Sequence, residues 1–260
     1  MQRVLLTGAA GSIGTFLRRE LAGVYPELVL ADIRPIDGLG AGESFHHLDI
    51  TDLSACEAAC EGVDGILHFA GQAGESAWED IRAKNIDGAY NIFEAARRQR
   101  VERLCFATSN HAVGFYRREQ RIGIDHKVMP DSRYGVSKAF GEALGAMYAM
   151  KYGLGVFMMR IGNVSETPVD RRRLSIWISP RDMAQLCRIG LEHPEIGYEI
   201  VYGVSDNDRT FYDNSNAYRL GYKPKDCSED YAEEVLAAEP EHAPDDPGEI
   251  FQGGAFVNEA

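Results

Sequence analysis

Tyr134 and Lys138 stand four residues apart in the run Ser132-Arg-Tyr-Gly-Val-Ser-Lys138. On a helix that spacing puts both on one face, with the ammonium beside the phenol. A free tyrosine titrates near 10 and is a poor base at neutral pH. A fixed positive charge favours the phenolate, and bringing the phenol to about 7 takes roughly 4 kcal/mol of preferential stabilisation. Such a pair can take a proton from a hydroxyl. Alone it is a weak signal, since a half-buried aromatic near a lysine arises by chance.

The other end of the chain strengthens it. Val4-Leu-Leu-Thr-Gly8-Ala-Ala-Gly11-Ser-Ile-Gly14 is a short apolar strand running into a glycine-rich turn, followed by a helical pattern. Glycines at 8, 11 and 14 let the backbone turn tightly and approach a pyrophosphate at the helix N-terminus. The spacing Gly-x-x-Gly-x-x-Gly differs from the commonest dinucleotide fingerprint. A second strand, Leu28-Val-Leu-Ala, ends at Asp32, where a carboxylate should take the adenosine ribose hydroxyls. Asp32 repels a 2′-phosphate and argues for NAD, whereas Arg34 is the kind of residue that accommodates NADP.

The elements that must hold these residues alternate. Strand patterns lie at 3–7, 28–32, 64–69, 103–108, 154–160 and 198–202, with a weaker one at 44–48. Helical patterns lie at 12–23, 52–60, 76–99, 132–152 and 180–192. The alternation predicts an α/β fold: a Rossmann-like, doubly wound parallel sheet with a small C-terminal substrate cap. The whole chain, 1–260, reads as one domain, with 1–162 mainly cofactor-binding and 163–260 forming the cap and an acidic tail. Sheets of this kind bind ligands at the carboxyl ends of their strands, and the glycine turn and Ser109 both follow strands directly.

Together these residues resemble the short-chain dehydrogenase/reductase superfamily, in its extended, sugar-nucleotide-epimerase-like branch, over nearly the whole chain. The resemblance implies that Gly8, Gly11, Ser12, Ile13 and Gly14 cradle the cofactor phosphates. Asp32 and Ile33 would meet the adenosine ribose, and Asp49 and Ile50 the adenine. Phe69, Ala70, Gly71, Asn85 and Ile161 would lie along the cofactor, with Tyr134 and Lys138 at its reactive end. A closer resemblance is to the uronate dehydrogenase family. It rests on Phe106-Ala-Thr-Ser-Asn-His-Ala-Val-Gly114, Tyr134-Gly-Val-Ser-Lys-Ala-Phe-Gly-Glu142, Arg160-Ile-Gly-Asn163, Leu174-Ser-Ile-Trp177, Ser205-Asp-Asn-Asp208 and Phe251-Gln-Gly-Gly-Ala-Phe-Val257.

That resemblance implies NAD-dependent oxidation of the C1 hydroxyl of a cyclic uronic acid, galacturonate or glucuronate, to the aldarolactone. Tyr134 would be the general base, Lys138 would hold the nicotinamide ribose and Ser109 would orient the hydroxyl. The implied substrate contacts are Ala73, Ser109, Asn110, His111, Asn163 and Arg172. Two positions depart from the family: Ala73 stands where a serine is common, with Ser76 nearby, and Asn163 where some relatives have a serine. Arg172 lies in Arg171-Arg172-Arg173, the densest basic run. A guanidinium grips a carboxylate bidentately but takes a phosphate equally well. A sugar or sugar-phosphate dehydrogenase, an NAD-dependent epimerase and a nicotinamide-redox sensor therefore stay open.

Composition bounds the rest. With 45% apolar residues, 260 residues can bury a full core. No apolar run reaches membrane-spanning length, and the first strand starts too early for a signal peptide, so a cytoplasmic protein is expected. The five cysteines, including Cys56 and Cys60 one helical turn apart, read as packed thiols with no metal role. The net charge of −13 speaks against nucleic acid. Eleven carboxylates and no Lys or Arg fall between Asp226 and Ala260, which reads as a solvated peripheral tail. Within it, 236–250, with Pro240, Pro244 and Pro247, reads as irregular. The helices at 76–99 and 132–152 are the usual dimerisation surface of related folds, so a homo-oligomer is expected.

Overall fold

Val4 and Leu6 of β1 (Arg3–Thr7) enter one apolar cluster and Leu5 enters another. Side chains alternate across a strand, so an unbroken apolar run marks a strand covered on both sides. β2 (Glu27–Asp32) divides in the same way, with Leu28 and Leu30 on one side and Val29 and Ala31 on the other. With β3 (Glu43–His47), β4 (Gly65–His68), β5 (Arg103–Ser109), β6 (Gly155–Ile161) and a later strand they form a sheet. The weak pattern near 44–48 is β3, an edge strand. The computed structural model describes residues 1–239, 243 and 245–259. Pro240, Glu241, Pro244 and Ala260 of the acidic segment lie outside them.

α1 (Ser12–Glu20) packs on one face and α2 (Leu53–Ala59) on the other. The helix expected over 76–99 is α3 (Trp78–Ile81), a π turn (Arg82–Asp87) and α4 (Gly88–Arg98). α5 (Arg133–Tyr152) joins α2 and α4, and Phe93 stacks on Tyr148 between them. Past β6 come β7 (Asn163–Val164), α6 (Arg171–Ile176) and β8 (Trp177–Ile178), followed by α7 (Pro180–Glu192) beside α1. The two-residue strands β7 and β8 pair with each other and are too short to leave a periodic signal.

β9 (Tyr198–Gly203) completes a seven-stranded sheet in the order β3-β2-β1-β4-β5-β6-β9. Every pair in it is parallel. The chain winds outward from β1 to β3, then returns to β4 on the other side of β1. At that reversal the carboxyl ends of β1 and β4 open a crevice. The doubly wound sheet expected from the alternation is the fold found.

α8 (Ser215–Arg219), α9 (Ala232–Ala238) and α10 (Pro247–Ile250) follow β9. The acidic stretch differs from a solvated tail in two ways. Asp226 pairs with Arg181, Glu229 with Arg209 and Glu249 with Arg118, each between 2.6 and 2.8 Å. Beyond α10 the chain turns inward, and Gln252 is fully buried. The basic partners lie far away in sequence, so a local charge count could not see them. Among the described residues no helix is long and apolar enough to cross a membrane.

Candidate active site

The glycine turn closes against its own backbone. Gly8 has φ +72°, and a Cβ there would come 2.7 Å from Ala70 N and Phe69 C at the end of β4. At Gly14 a Cβ would stand 2.7 Å from Ala9 Cα. Gly11 caps α1 without a side-chain hydrogen bond, so first-turn N–H groups face outward. These features fit a dinucleotide: a backbone with no room for side chains and a helix N-terminus left for phosphate.

A cleft of about 460 Å³ opens over the turn. Asp32, Ile33, Asp49, Ile50, Phe69, Ala70 and Gly71 line it with Gly8, Gly11, Ser12, Ile13 and Gly14. Asp32 is buried and accepts hydrogen bonds from Ala10 N at 3.0 Å and Arg34 N at 2.9 Å. Arg34 folds beside it, donating to Ala10 O at 2.6 Å while its side chain stays largely exposed. Asp49 accepts from the backbone N–H and hydroxyl of Thr51, which hold its pKa below the usual carboxylate value. Ala73, expected at the substrate, also lines this cleft.

Asn85 sits on the π turn, which takes one extra residue per turn. Its carbonyl accepts from Gln72 N at 2.8 Å, and its amide donates to Gln72 O at 3.1 Å and Ser137 Oγ at 3.0 Å. It ties the loop after β4 to the residue before Lys138. Glu75 makes a second tie, accepting from Tyr134 N at 2.9 Å and pairing with Arg133.

Tyr134, Lys138 and Ser109 come together. Lys138 Nζ lies 5.3 Å from the centre of the Tyr134 ring and donates to Ala107 O at 2.9 Å. Burial lowers its pKa to about 8. Burial also pushes the Tyr134 phenol up to about 12, against a hydrogen bond from Ser109 that pulls it down. This reverses the direction expected from the Tyr-Lys pair: the ammonium lies over the ring and bonds a carbonyl, so desolvation dominates in the protein alone.

Asn110 and His111 follow Ser109 on a 3₁₀ turn whose His111 N donates to Ser109 Oγ at 3.2 Å. His111 Nδ1 lies 2.7 Å from Asp131, and the ring stacks on Phe256 at 3.8 Å. Burial holds its pKa below the usual histidine value. With its amide turned to satisfy both neighbours, Asn110 donates to Ile161 O at 3.1 Å and accepts from Arg172 Nη2 at 2.9 Å. Ile161, expected along the cofactor, thus meets Asn110 through its carbonyl. Asn163, on β7, accepts from Ser165 Oγ within its own loop.

The three arginines separate. Arg171 is exposed, and Arg173 pairs with Asp170, the residue capping α6. Arg172 turns inward, donating from Nε to Gln252 O at 2.8 Å. It makes no ion pair among the described residues, and burial holds its pKa below the usual value. Gly254 makes room for it, since a Cβ there would come 2.5 Å from Arg172 Cδ.

Glu75 and Asp131 lie in no motif, and Gln252 and Phe256 lie in the Phe251–Val257 run without a role that the sequence assigns. Only the last two left a signal, as a glycine-rich, apolar run inside an acidic stretch.

The chain matches the NAD dependent epimerase/dehydratase family over residues 4–165. It is 44% identical over 98% of its length to a uronate dehydrogenase of Pseudomonas putida, covering 95% of that protein. A crystal structure of uronate dehydrogenase from Agrobacterium tumefaciens superposes with a TM-score of 0.96 at 40% identity, covering 100% of this chain and 98% of that one. A mutant of that enzyme has been solved complexed with NAD. An NAD-dependent glucose-6-phosphate dehydrogenase of Haloferax volcanii is 36% identical over 88% of this chain and 95% of its own length. The chain belongs to the NAD dependent epimerase/dehydratase family and, within it, to the uronate dehydrogenases.

Proposed function

We propose that this protein is an NAD-dependent dehydrogenase that oxidises the C1 hydroxyl of a cyclic uronic acid, galacturonate or glucuronate, to the aldarolactone. The observation that carries the reading is Arg172. A half-buried guanidinium without an anionic partner carries part of the cost of desolvation, and a carboxylate on the ligand offsets it through a bidentate, charge-assisted pair. The Asn110 contact ties this cation to the loop of Ser109 and His111, so a sugar held by its carboxylate lies within reach of Tyr134.

Residues 1–162 hold the cofactor and 163–260 supply most of the cap over the sugar. The glycine turn and the N-terminus of α1 hold the pyrophosphate, and Asp32 takes the adenosine ribose hydroxyls, which selects NAD. Tyr134 takes the proton from the C1 hydroxyl, and Ser109 fixes that hydroxyl by hydrogen bonding. NAD, when bound, accepts the hydride from the same carbon. Lys138 holds the nicotinamide ribose, and its ammonium favours the phenolate electrostatically. His111 meets a sugar hydroxyl, while Ala73 and Asn163 shape the remaining walls.

The five cysteines are free thiols, four of them buried, which suits a reducing cytoplasm. Tyr90 on α4 with Val136 and Met150 on α5 leave apolar surface exposed, which suits a homo-oligomer through that face. Sedimentation of the purified protein checks this, and a monomer at micromolar concentration would count against it.

A second reading is a sugar-phosphate dehydrogenase, favoured because a guanidinium takes phosphate as well as carboxylate. The test is absorbance at 340 nm with NAD and, separately, galacturonate, glucuronate, galactose, glucose and glucose 6-phosphate. Rapid NADH formation with the uronates alone supports the first reading. Turnover with glucose 6-phosphate alone overturns it.

A further inference from the structure

Asp131 carries no part of the chemistry above, yet a compartment is built around it. Its side chain is fully buried. One carboxylate oxygen lies 2.7 Å from His111 Nδ1, and the other accepts from Ser132 Oγ at 2.8 Å. Gly114 and Gly253, joined by a 2.9 Å backbone hydrogen bond, make the room: a Cβ on either would overlap the carboxylate. A buried carboxylate is tolerated only when its oxygens are hydrogen-bonded, and here both are.

The same group reaches the catalytic helix. Ser132 is the N-cap of α5, accepting from Gly135 N at 3.0 Å while its hydroxyl donates to Asp131. The His111 ring is further confined, stacked on Phe256 and edge-on to Tyr134 at 5.9 Å between ring centres. Its Nε2 has no protein partner among the described residues. In a neutral imidazole, the hydrogen bond made by one nitrogen decides the state of the other. A carboxylate can only accept, so Nδ1 must donate and Nε2 is left as an acceptor.

We propose that Asp131 is a positioning residue that locks His111 as its Nδ1–H tautomer, so that Nε2 selects a sugar hydroxyl donating to it. A histidine free to change tautomer would accept either a donor or an acceptor there. Asp131 therefore narrows which hydroxyl arrangement is taken beside His111. This rests on the surroundings of His111 being the sugar site, but the tautomer can be measured without any sugar.

The experiment has two arms. Wild-type protein carrying ¹⁵N-labelled histidine, without substrate, is examined by long-range ¹H–¹⁵N correlation, with His111 assigned by its loss in His111→Gln. A protonated Nδ1 and a bare Nε2 are expected; an Nε2–H tautomer or an imidazolium at neutral pH overturns the proposal. In kinetics, Asp131→Asn should raise the KM for the turned-over sugar about tenfold, the scale of one neutral hydrogen bond. The Kd for NAD should stay unchanged. In a His111→Gln background the same substitution should add nothing. An equal loss in both backgrounds would mean that Asp131 only supports the fold, and overturns it. If uronates prove not to be substrates while the tautomer is as stated, the uronate reading fails and this one stands.

Discussion

The cleft over the glycine turn and the cluster around Ser109, His111 and Arg172 are built from different material. On the cofactor side the working surface is largely backbone: Gly8 and Gly14 leave no space for a Cβ, and α1 presents bare N–H groups. On the proposed substrate side it is side chains delivered from distant segments. Ser109 ends β5 and Asn110 and His111 follow it, Asp131 precedes α5, Arg172 lies on α6 and Phe256 arrives from beyond α10. A surface made of backbone constrains residue type, because only glycine fits, and so leaves a spacing that can be read. A surface made of side chains constrains position in space, which spacing does not record.

If the sides are separable, a substitution on one should leave the other intact. The largest effect belongs to Tyr134→Phe, which keeps the ring and removes the proposed proton acceptor. Its kcat should fall about a thousandfold, within the range for general bases, with NAD affinity unchanged by fluorescence titration. A parallel loss of NAD binding would break the comparison.

Lys138 stands at the junction and should show it through pH. Its pKa is lowered to about 8, so the ammonium is half present near pH 8 and is lost progressively above it. NAD affinity in the wild type should therefore decline above pH 8, by at most about tenfold per pH unit. In Lys138→Arg the charge persists, and calorimetric titration from pH 7 to 9.5 should give a flat profile. A decline of the same steepness in the variant would place the titrating group elsewhere.

The smallest effect is expected from Phe256→Ala. Loss of the ring stacked on His111 should raise the uronate KM about three- to tenfold, the scale of one aromatic pair. NAD affinity should not move. Steady-state kinetics separates the two, and a change in NAD affinity alone would assign the tail to the wrong side.

The same contrast explains what could be read beforehand. Strand–helix alternation marked six of the seven main-sheet strands clearly, because strands covered on two faces must be apolar throughout; edge strand β3 gave only a weak pattern. The glycine turn, Asp32 and the Tyr134–Lys138 pair were readable because their chemistry demands both type and spacing. Arg172 was visible only as part of a basic run, and its separation from Arg173 comes from α6 turning Arg172 toward Gln252 O and Arg173 toward Asp170. Asp131 and Glu75 gave no signal at all: a lone carboxylate in a loop is usually solvated, and only the fold brings His111 or the α5 N-terminus to it. The direction of the Tyr134 pKa was also out of reach, since burial sets it and burial is a property of the packed protein.

Arg172 is where the substrate side makes its strongest claim. The most direct test compares kcat/KM for galacturonate and galactose in the wild type and in Arg172→Gln. In the wild type the acid should be preferred by about a hundredfold, the worth of a charge-assisted pair to a half-buried guanidinium. In the variant that preference should collapse to within a few-fold, with galactose turnover largely kept. A preference that survives the loss of the guanidinium, or a loss shared equally by both sugars, would contradict the assignment of Arg172 to the carboxylate.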